Sequence, residues 1–515
     1  MMQRFNLPAL LSFACGFVSL SLEILWVRLF SFARMSTPAA FGFVLMAYLI
    51  GIAFGAHWGS KACRQAGEAE GRGEEGLWQH SIAALLLSAV LTLGLPALFA
   101  ALQGGPGQNP LVDLLLMACT SSVLAYVFPI AHHLGAGPKS GRQGQRFAWV
   151  YTSNVLGAAL GPLVTGYVLL DFFTLQQALV VLCVLQLLAA GGFALAHPQI
   201  GGRMLFVLVS CTLTLGITLT ARGMDEHGLI QKVNHNGQRA ATVVENRHGV
   251  ITIFSGAGGD DVVFGGNVYD GRTNLNPERN TNGLHRPLLL AALQPEPRRV
   301  LMVGLSIGTW LALVREFPGV ESVDVVEINA GYVQAAQAYQ PQARALADPR
   351  VHVVVDDARR WLRLHSNKQY DLIIMNTTWH WRANASLLLS REFLQLARSH
   401  MAPGAVMSFN ATGSDDAFRT AAEIFPHAYR YDNFVYAADF DFRTRKNTSQ
   451  AHAVFSELKI DGAPFFASES PLIEHFLKKP FITLSTAQTG FDRPLEVITD
   501  WNMITEFKYG LAWRH

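Results

Sequence analysis

Three scarcities narrow the possibilities before any motif is read. Only 5 of the 515 residues are cysteine. All of them (Cys15, Cys63, Cys119, Cys183 and Cys211) lie before residue 212, without CxxC or mixed His/Cys ligand spacing, so neither a disulfide framework nor a zinc site is expected, and no metal is assigned. The net formal charge is only +2, with no Arg/Lys-rich run interleaved with aromatics, which sets nucleic acid aside as a partner. Charged residues supply just 15% of the chain against 50% hydrophobic, with mean hydropathy +0.24. That is too apolar for an ordinary soluble enzyme, so part of the chain is expected in a lipid bilayer.

Apolar runs of bilayer-spanning length, about 18 residues or more, occur near 7–33, 38–60, 80–102, 111–134, 147–170, 174–196 and 204–221. They predict a multi-span α-helical membrane domain over 1–222, in a multi-pass protein of the cell (inner) membrane. The first run is too long for a signal peptide and is read as a retained helix. Glycines at helical spacing, Gly51, Gly55 and Gly59, and again Gly157 and Gly161, suit close helix packing in lipid. Glu23 and Arg28 in "SLEILWVR" either line a pathway or snorkel near the end of the first span. Lys61, Arg64 and Arg72, then Lys139, Arg142 and Arg146, fall in alternate loops, which places the amino terminus in the cytoplasm. Seven spans would then put everything after residue 222 outside, and six or eight would return it, so the side of the second half stays open.

From residue 223 the pattern changes to short β-branched runs separated by turns. Over 223–295, "RAATVVENRHGVITIF" reads as a hairpin about a His-Gly turn and "DDVVFGGNVYDG" as another about Gly-Gly, giving a small antiparallel β subdomain. Over 296–515 strands and helices alternate: "RVLMVG", "SVDVVEI", "VHVVVDD", "YDLIIMN" and "AVMSFN", each followed by a helical pattern. Continuously apolar strands with crossover helices predict an α/β Rossmann-like domain with a doubly wound parallel sheet, whose ligands bind beyond the strand carboxyl ends.

Candidate site residues cluster at those ends. Gly304 and Gly308 in "VGLSIGTW" permit a tight turn and close ligand approach. Glu327 closes the second strand, where an acid commonly accepts hydrogen bonds from a ribose diol. Asp356 and Asp357 close the third, where an acid can take an adenine amino group. The loop lacks a third glycine, so a nucleoside without pyrophosphate, such as S-adenosylmethionine, fits better than a dinucleotide. The alternative, that these residues are turn formers and helix caps, stays open.

The succession "RRVLMVGLSIG", "VVEIN", "VVVDDARRWL", "YDLIIMN", "ITDWNMITEF", preceded by "VYDGRTN", resembles the spermidine synthases (polyamine aminopropyltransferases). More specifically it is similar to their membrane-fused members, class I S-adenosylmethionine-type folds. The resemblance implies a transferase that moves an aminopropyl group from decarboxylated S-adenosylmethionine, or a reaction using S-adenosylmethionine, to putrescine or another small acceptor. It implies that Glu327 holds the ribose, that Asp357 with Ala358 holds the adenine, and that a homodimer forms. Tyr269 and Asp270 of "VYDG" become substrate residues.

Two departures stand out. The family's glycine loop carries an Asp that helps hold the amine, where this chain has Ile307. The family's fourth strand ends in an Asp that serves as base, where this chain has Asn376. An amine of pKa near 10.4 is roughly 0.1% neutral at pH 7.4, a cost of about 4 kcal/mol without a base. His380 in "NTTWHW" is a possible substitute base, and Trp379 and Trp381 a lid or stacking surface. Arg359, Arg360 and Arg382 add positive charge near the same rim, which would suit an anionic acceptor, or are solvated helix-face residues. Two further functions stay open: a nucleoside- or polyamine-binding protein that has lost the amine-handling acids, and a transporter.

Overall fold

The computed structural model describes residues 2–68, 73–103, 109–136, 143–197, 200, 202–221, 223–376, 378–467, 470–490 and 492–510. The chain forms two compact units. One comprises Met1–Met35, Ala39–Arg239 and Glu245–Arg247, the other Ser36–Pro38, Ala240–Val244 and His248–His515.

The first unit is helical. Among the described residues, seven helices are long and apolar enough to cross a bilayer by length and composition: Leu7–Ala33, Pro38–Glu68, Gly73–Leu102, Pro110–Ala136, Gln143–Phe172, Leu175–Ala196 and Arg203–Ala221. The shortest has 19 residues and is about 28 Å long at ~1.5 Å per residue. Glycine sets the closest helix approaches. A Cβ on Gly157 would lie 2.1 Å from the Phe13 carbonyl oxygen, and one on Gly55 2.1 Å from that of Ser122. The first helix therefore lies against the fifth, and the second against the fourth, at backbone-to-backbone distance.

The second unit opens with a four-stranded sheet in the order β1-β2-β3-β4: β1 Thr242–Asn246, β2 Gly249–Phe254, β3 Val262–Gly265 and β4 Val268–Arg272. The second hairpin turns at Gly266-Asn267, with φ of 58° and 66°. This is one residue beyond the expected Gly-Gly turn, because a two-residue loop with both φ positive matches strand twist and Asn tolerates that conformation. The first hairpin turns at Arg247-His248 and leaves Gly249 in the strand.

Seven strands build the main sheet: β5 Arg299–Val303, β6 Ser322–Glu327, β7 Val351–Val355, β8 Tyr370–Met375, β9 Met401–Asn410, β10 His427–Tyr431 and β11 Phe434–Ala438, in the order β10-β11-β9-β8-β5-β6-β7. β5 through β9 are parallel, with helices between successive strands. The expectation of a wholly parallel sheet is corrected at the edge, where β11 runs antiparallel to both β9 and β10. Only a two-residue turn, Asp432-Asn433, joins β10 to β11, and a turn that short can make only a hairpin. Both faces of the sheet are covered. Val300, Met302, Leu372 and Ile374 enter one core, while Leu301, Val303, Ile373 and Met375 enter the other, which is why these strands read as unbroken apolar runs.

Gly157→Ala is expected to destabilise the detergent-solubilised chain by about 1–3 kcal/mol through overpacking. Gly94→Ala, with nothing within 4 Å of its Cβ, is expected to be neutral or slightly stabilising. Thermal unfolding of the two variants beside the parent checks both.

Candidate active site

Strands β8, β5, β6 and β7 lie side by side and parallel, so the segments after Met375, Val303, Glu327 and Val355 gather along one edge, the ligand side of such sheets. Gly304 makes the closest junction there. Its φ is 86°, and an added Cβ would sit 3.2 Å from the Asn376 carbonyl oxygen, while its N–H donates to the Val326 carbonyl at 2.9 Å. Only glycine meets both demands cheaply. Gly308, at φ 80°, precedes the helix Thr309–Val314.

Glu327 is 4% exposed. Its carboxylate accepts from the Leu305 N–H at 2.7 Å and the Asn329 N–H at 2.8 Å, tying the glycine loop to the end of β6. Burial pushes its pKa up to about 7, against backbone hydrogen bonds from Leu305, Asn329 and Ser306 and with a further upward push from Asp270. Asp357 caps the helix Ala358–Leu364 by accepting from the Arg360 N–H at 2.8 Å. Asp356 accepts from the Asp357 N–H at 2.8 Å and from the Arg360 guanidinium at 2.5 Å, and Ala358 is buried. The capping role and ligand binding are compatible, since a carboxylate has about four lone-pair positions.

Beside this edge lies a cavity of about 320 Å³. Of the residues singled out in the sequence, Tyr269, Asp270, Asn376 and Trp379 line it. The Asn376 amide and the Tyr269 hydroxyl have no hydrogen-bond partner among the described residues, and both reach the cavity. Asp270 is held by the Tyr332 hydroxyl. Burial raises its pKa, while the Tyr332 hydrogen bond and the Arg382 charge oppose the rise. Trp379 is 39% exposed, whereas Trp381, its stacked neighbour at 6.2 Å, is 8% exposed.

His380 does not line the cavity. Its backbone N–H donates to Thr412 Oγ1 at 2.8 Å, and its Nδ1 lies 3.0 Å from the Thr412 carbonyl, so Nδ1 carries the proton. Burial lowers its pKa. Ile307 packs with Ile251, Ile253 and Val263 beneath the small sheet.

The arginines expected to charge the rim are matched with anions or engaged elsewhere. Arg359 is clamped by Asp500 at 2.7 and 2.8 Å, Arg360 pairs with Asp356, and Arg382 donates to Thr378 at 2.5 Å beside Asp270. The carboxyl-terminal motif containing Asp500 also supplies Glu506, which accepts from the N–H groups of Asn384 and Ser386 at 2.9 and 2.8 Å. It thereby fixes the loop that follows Trp381.

Among the cavity residues that the sequence reading did not single out are Arg286 and the amides Asn282, Asn410 and Asn433. Arg286 donates to Asn433 Oδ1 at 3.1 Å, and Asn433 donates to Asn410 Oδ1 at 2.8 Å. "LHRPLLL" reads as an ordinary helix start, and Asn433 as a hairpin turn. Only the folding of β9 and the β10-β11 hairpin beside that helix brings them together. Among the described residues no group of three or more His, Cys, Asp or Glu is placed to hold a metal ion.

Residues 285–419 match the family model of the spermine/spermidine synthase domain. The polyamine aminopropyltransferase of Mycobacterium tuberculosis is 28% identical over 281 residues, 52% of each chain. The chain thus spans about half the length of that curated relative. Putrescine N-methyltransferase 2 of Nicotiana attenuata is 30% identical over 118 residues, covering 23% of this chain and 32% of its own. A crystal structure of spermidine synthase from Thermotoga maritima superposes with a TM-score of 0.37 at 19% identity, over 46% of this chain and 87% of that one.

The Glu327 carboxyl gives a pH signature. Its folded-state pKa of about 7 lies above the ordinary 4.5, so the folded state binds the extra proton and stability falls as pH rises between those values. The fall is about 1.4 kcal/mol per pH unit at most. Unfolding by urea between pH 5 and 7.5 is expected to show this slope in the parent and a flatter one in Glu327→Gln.

Proposed function

The second unit is spermidine synthase-like, and from that premise we propose that it transfers an aminopropyl group from the sulfonium of an S-adenosyl donor to a small acceptor in the Asn376 cavity. The donor is decarboxylated S-adenosylmethionine, which gives the aminopropyl group and leaves methylthioadenosine, or S-adenosylmethionine. The latter would give an aminocarboxypropyl group and leave methylthioadenosine, or give a methyl group and leave S-adenosylhomocysteine. The acceptor is putrescine or another small nucleophile. The observation that carries this reading is Glu327: a buried carboxylate at the carboxyl end of β6, held rigid by two backbone N–H groups, with lone pairs left for a ribose diol.

Asp357 and Ala358 at the end of β7 would receive the adenine. The donor supplies a sulfur that becomes neutral on leaving, so the chain's task is alignment and exclusion of water. Trp379 stands at the cavity wall as a cover. Asn376 can accept a hydrogen bond from a nucleophile and orient it, but it cannot take a proton. His380, with Nδ1 bound to Thr412 and its pKa lowered, is better suited to holding the loop than to acting as base.

An amine acceptor must therefore arrive neutral or give its proton to another group. The substitutions at Ile307 and Asn376 also support a second reading, a binding protein that recognises a nucleoside without turning it over. In either case we place the chain in a bilayer through the seven helices of its first unit. A reporter fused to the carboxyl terminus decides the side. Seven spans with the amino terminus inside would put it outside, whereas transfer from S-adenosyl donors, which are made in the cytoplasm, requires it inside, so an external reporter would count against transfer.

With putrescine as acceptor, methylthioadenosine formation is expected to rise about tenfold per pH unit from pH 7 to 9, tracking amine deprotonation. Asn376→Asp is expected to raise the rate at pH 7 by about 10²-fold and to flatten that dependence. If neither methylthioadenosine nor S-adenosylhomocysteine forms with amine, carboxylate or lipid acceptors, transfer is excluded. Nucleoside binding without turnover would establish the second reading.

A further inference from the structure

The cavity beside Asn376 is unsuited to a dication. Its only lining carboxylate is Asp270, which already faces the Tyr332 hydroxyl and the Arg382 charge. Its cation is Arg286, which forms no ion pair among the described residues. Instead its Nε donates to the Gly283 carbonyl at 3.0 Å, one terminal nitrogen to Asn433 Oδ1 at 3.1 Å, and the other to the Asn282 carbonyl at 2.9 Å. The Trp310 and Phe434 rings lie 5.2 and 5.1 Å from its guanidinium carbon. Three of the five N–H donors of a guanidinium are thus engaged, all by neutral groups.

Asp432, the acid that also acts on Arg286, is taken by His285 at 2.5 Å and by Lys479. A cation held by neutral partners away from bulk water is costly until an anion meets it. The planar fork of arginine fits a carboxylate in particular. Lysine, a point charge on a flexible stem, could not hold three directed bonds in this planar arrangement.

We propose that the cavity recognises a carboxylate, received by the two remaining N–H groups of Arg286, with the Asn376 amide and the Tyr269 hydroxyl completing its polar wall. The inference rests on the reading of this cavity as the transferase's reaction chamber. The carboxylate has two possible sources: the α-carboxylate of undecarboxylated S-adenosylmethionine, or an acidic group on the acceptor.

Calorimetry on the full chain in detergent separates them with matched probes. A donor carboxylate predicts S-adenosylmethionine bound about 10- to 100-fold tighter than its decarboxylated form. An acceptor carboxylate predicts equal binding of the two donors, with 4-aminobutyrate bound about 10- to 100-fold tighter than putrescine by the methylthioadenosine-loaded chain. In either case Arg286→Lys narrows the preference. Asn376→Asp, which is isosteric and adds a negative charge to the wall, reverses it even if the Arg286 variant fails to fold. The proposal is overturned, with the transferase reading left standing, if methylthioadenosine binds but neither carboxylate-bearing probe is preferred. If methylthioadenosine itself does not bind, both fall.

Discussion

The carboxylate of Glu327 joins the ends of two neighbouring strands by accepting one backbone N–H from the glycine loop and one from the turn after β6. The shape of the ligand edge depends on this bridge. It holds Leu305 and Ser306 close to the sheet, and it lets Gly304 press against the end of β8 at Asn376. An exposed acid in its place would be free to swing. Burial raises the proton affinity of the group toward neutrality, so the same bridge makes the edge responsive to pH.

The proposed site has two parts. At the ends of β6 and β7 the acids Glu327, Asp356 and Asp357 are each fixed by backbone hydrogen bonds. On the proposed reading, the positions that would handle a diamine hold the neutral residues Ile307 and Asn376. Ile307 has become part of a small apolar core with Ile251 and Val263, a setting in which an aspartate would be buried without a partner at a cost of several kcal/mol. Asn376 offers an amide, and the arginine facing the cavity is Arg286. On the proposed reading these features agree with one another: the cavity wall is short of acid, and Arg286 stands in it.

Much of this was legible in the sequence because it depends on local pattern. Unbroken apolar strands told of a sheet covered on both faces, and Gly304, Glu327, Asp356 and Asp357 fall at strand ends, where the pattern put them. The antiparallel edge was missed because "HAYRY" and "FVYAA" lie beyond the five alternating strands and helices, and their direction is decided only by the short turn between them. The pairing of Arg359 with Asp500 could not be read locally because the two are distant in the chain, whereas Arg360 and Arg382 find their partners Asp356 and Thr378 four residues away. Arg286, Asn410 and Asn433 carry no local signal, since their meaning comes from a helix, a strand end and a hairpin turn meeting at one cavity.

The central claim is that an adenosyl ligand sits along the ends of β5, β6 and β7 while the neighbouring cavity has been rebuilt for a different partner. A cryo-electron microscopy structure of the full chain with S-adenosylmethionine tests it most directly. The account predicts ribose hydroxyls on the Glu327 carboxylate, adenine beside Asp357 and Ala358, and the sulfonium directed toward Asn376. A nucleoside bound elsewhere, or a structure in which Glu327 keeps only its two backbone partners at saturating ligand, would contradict it.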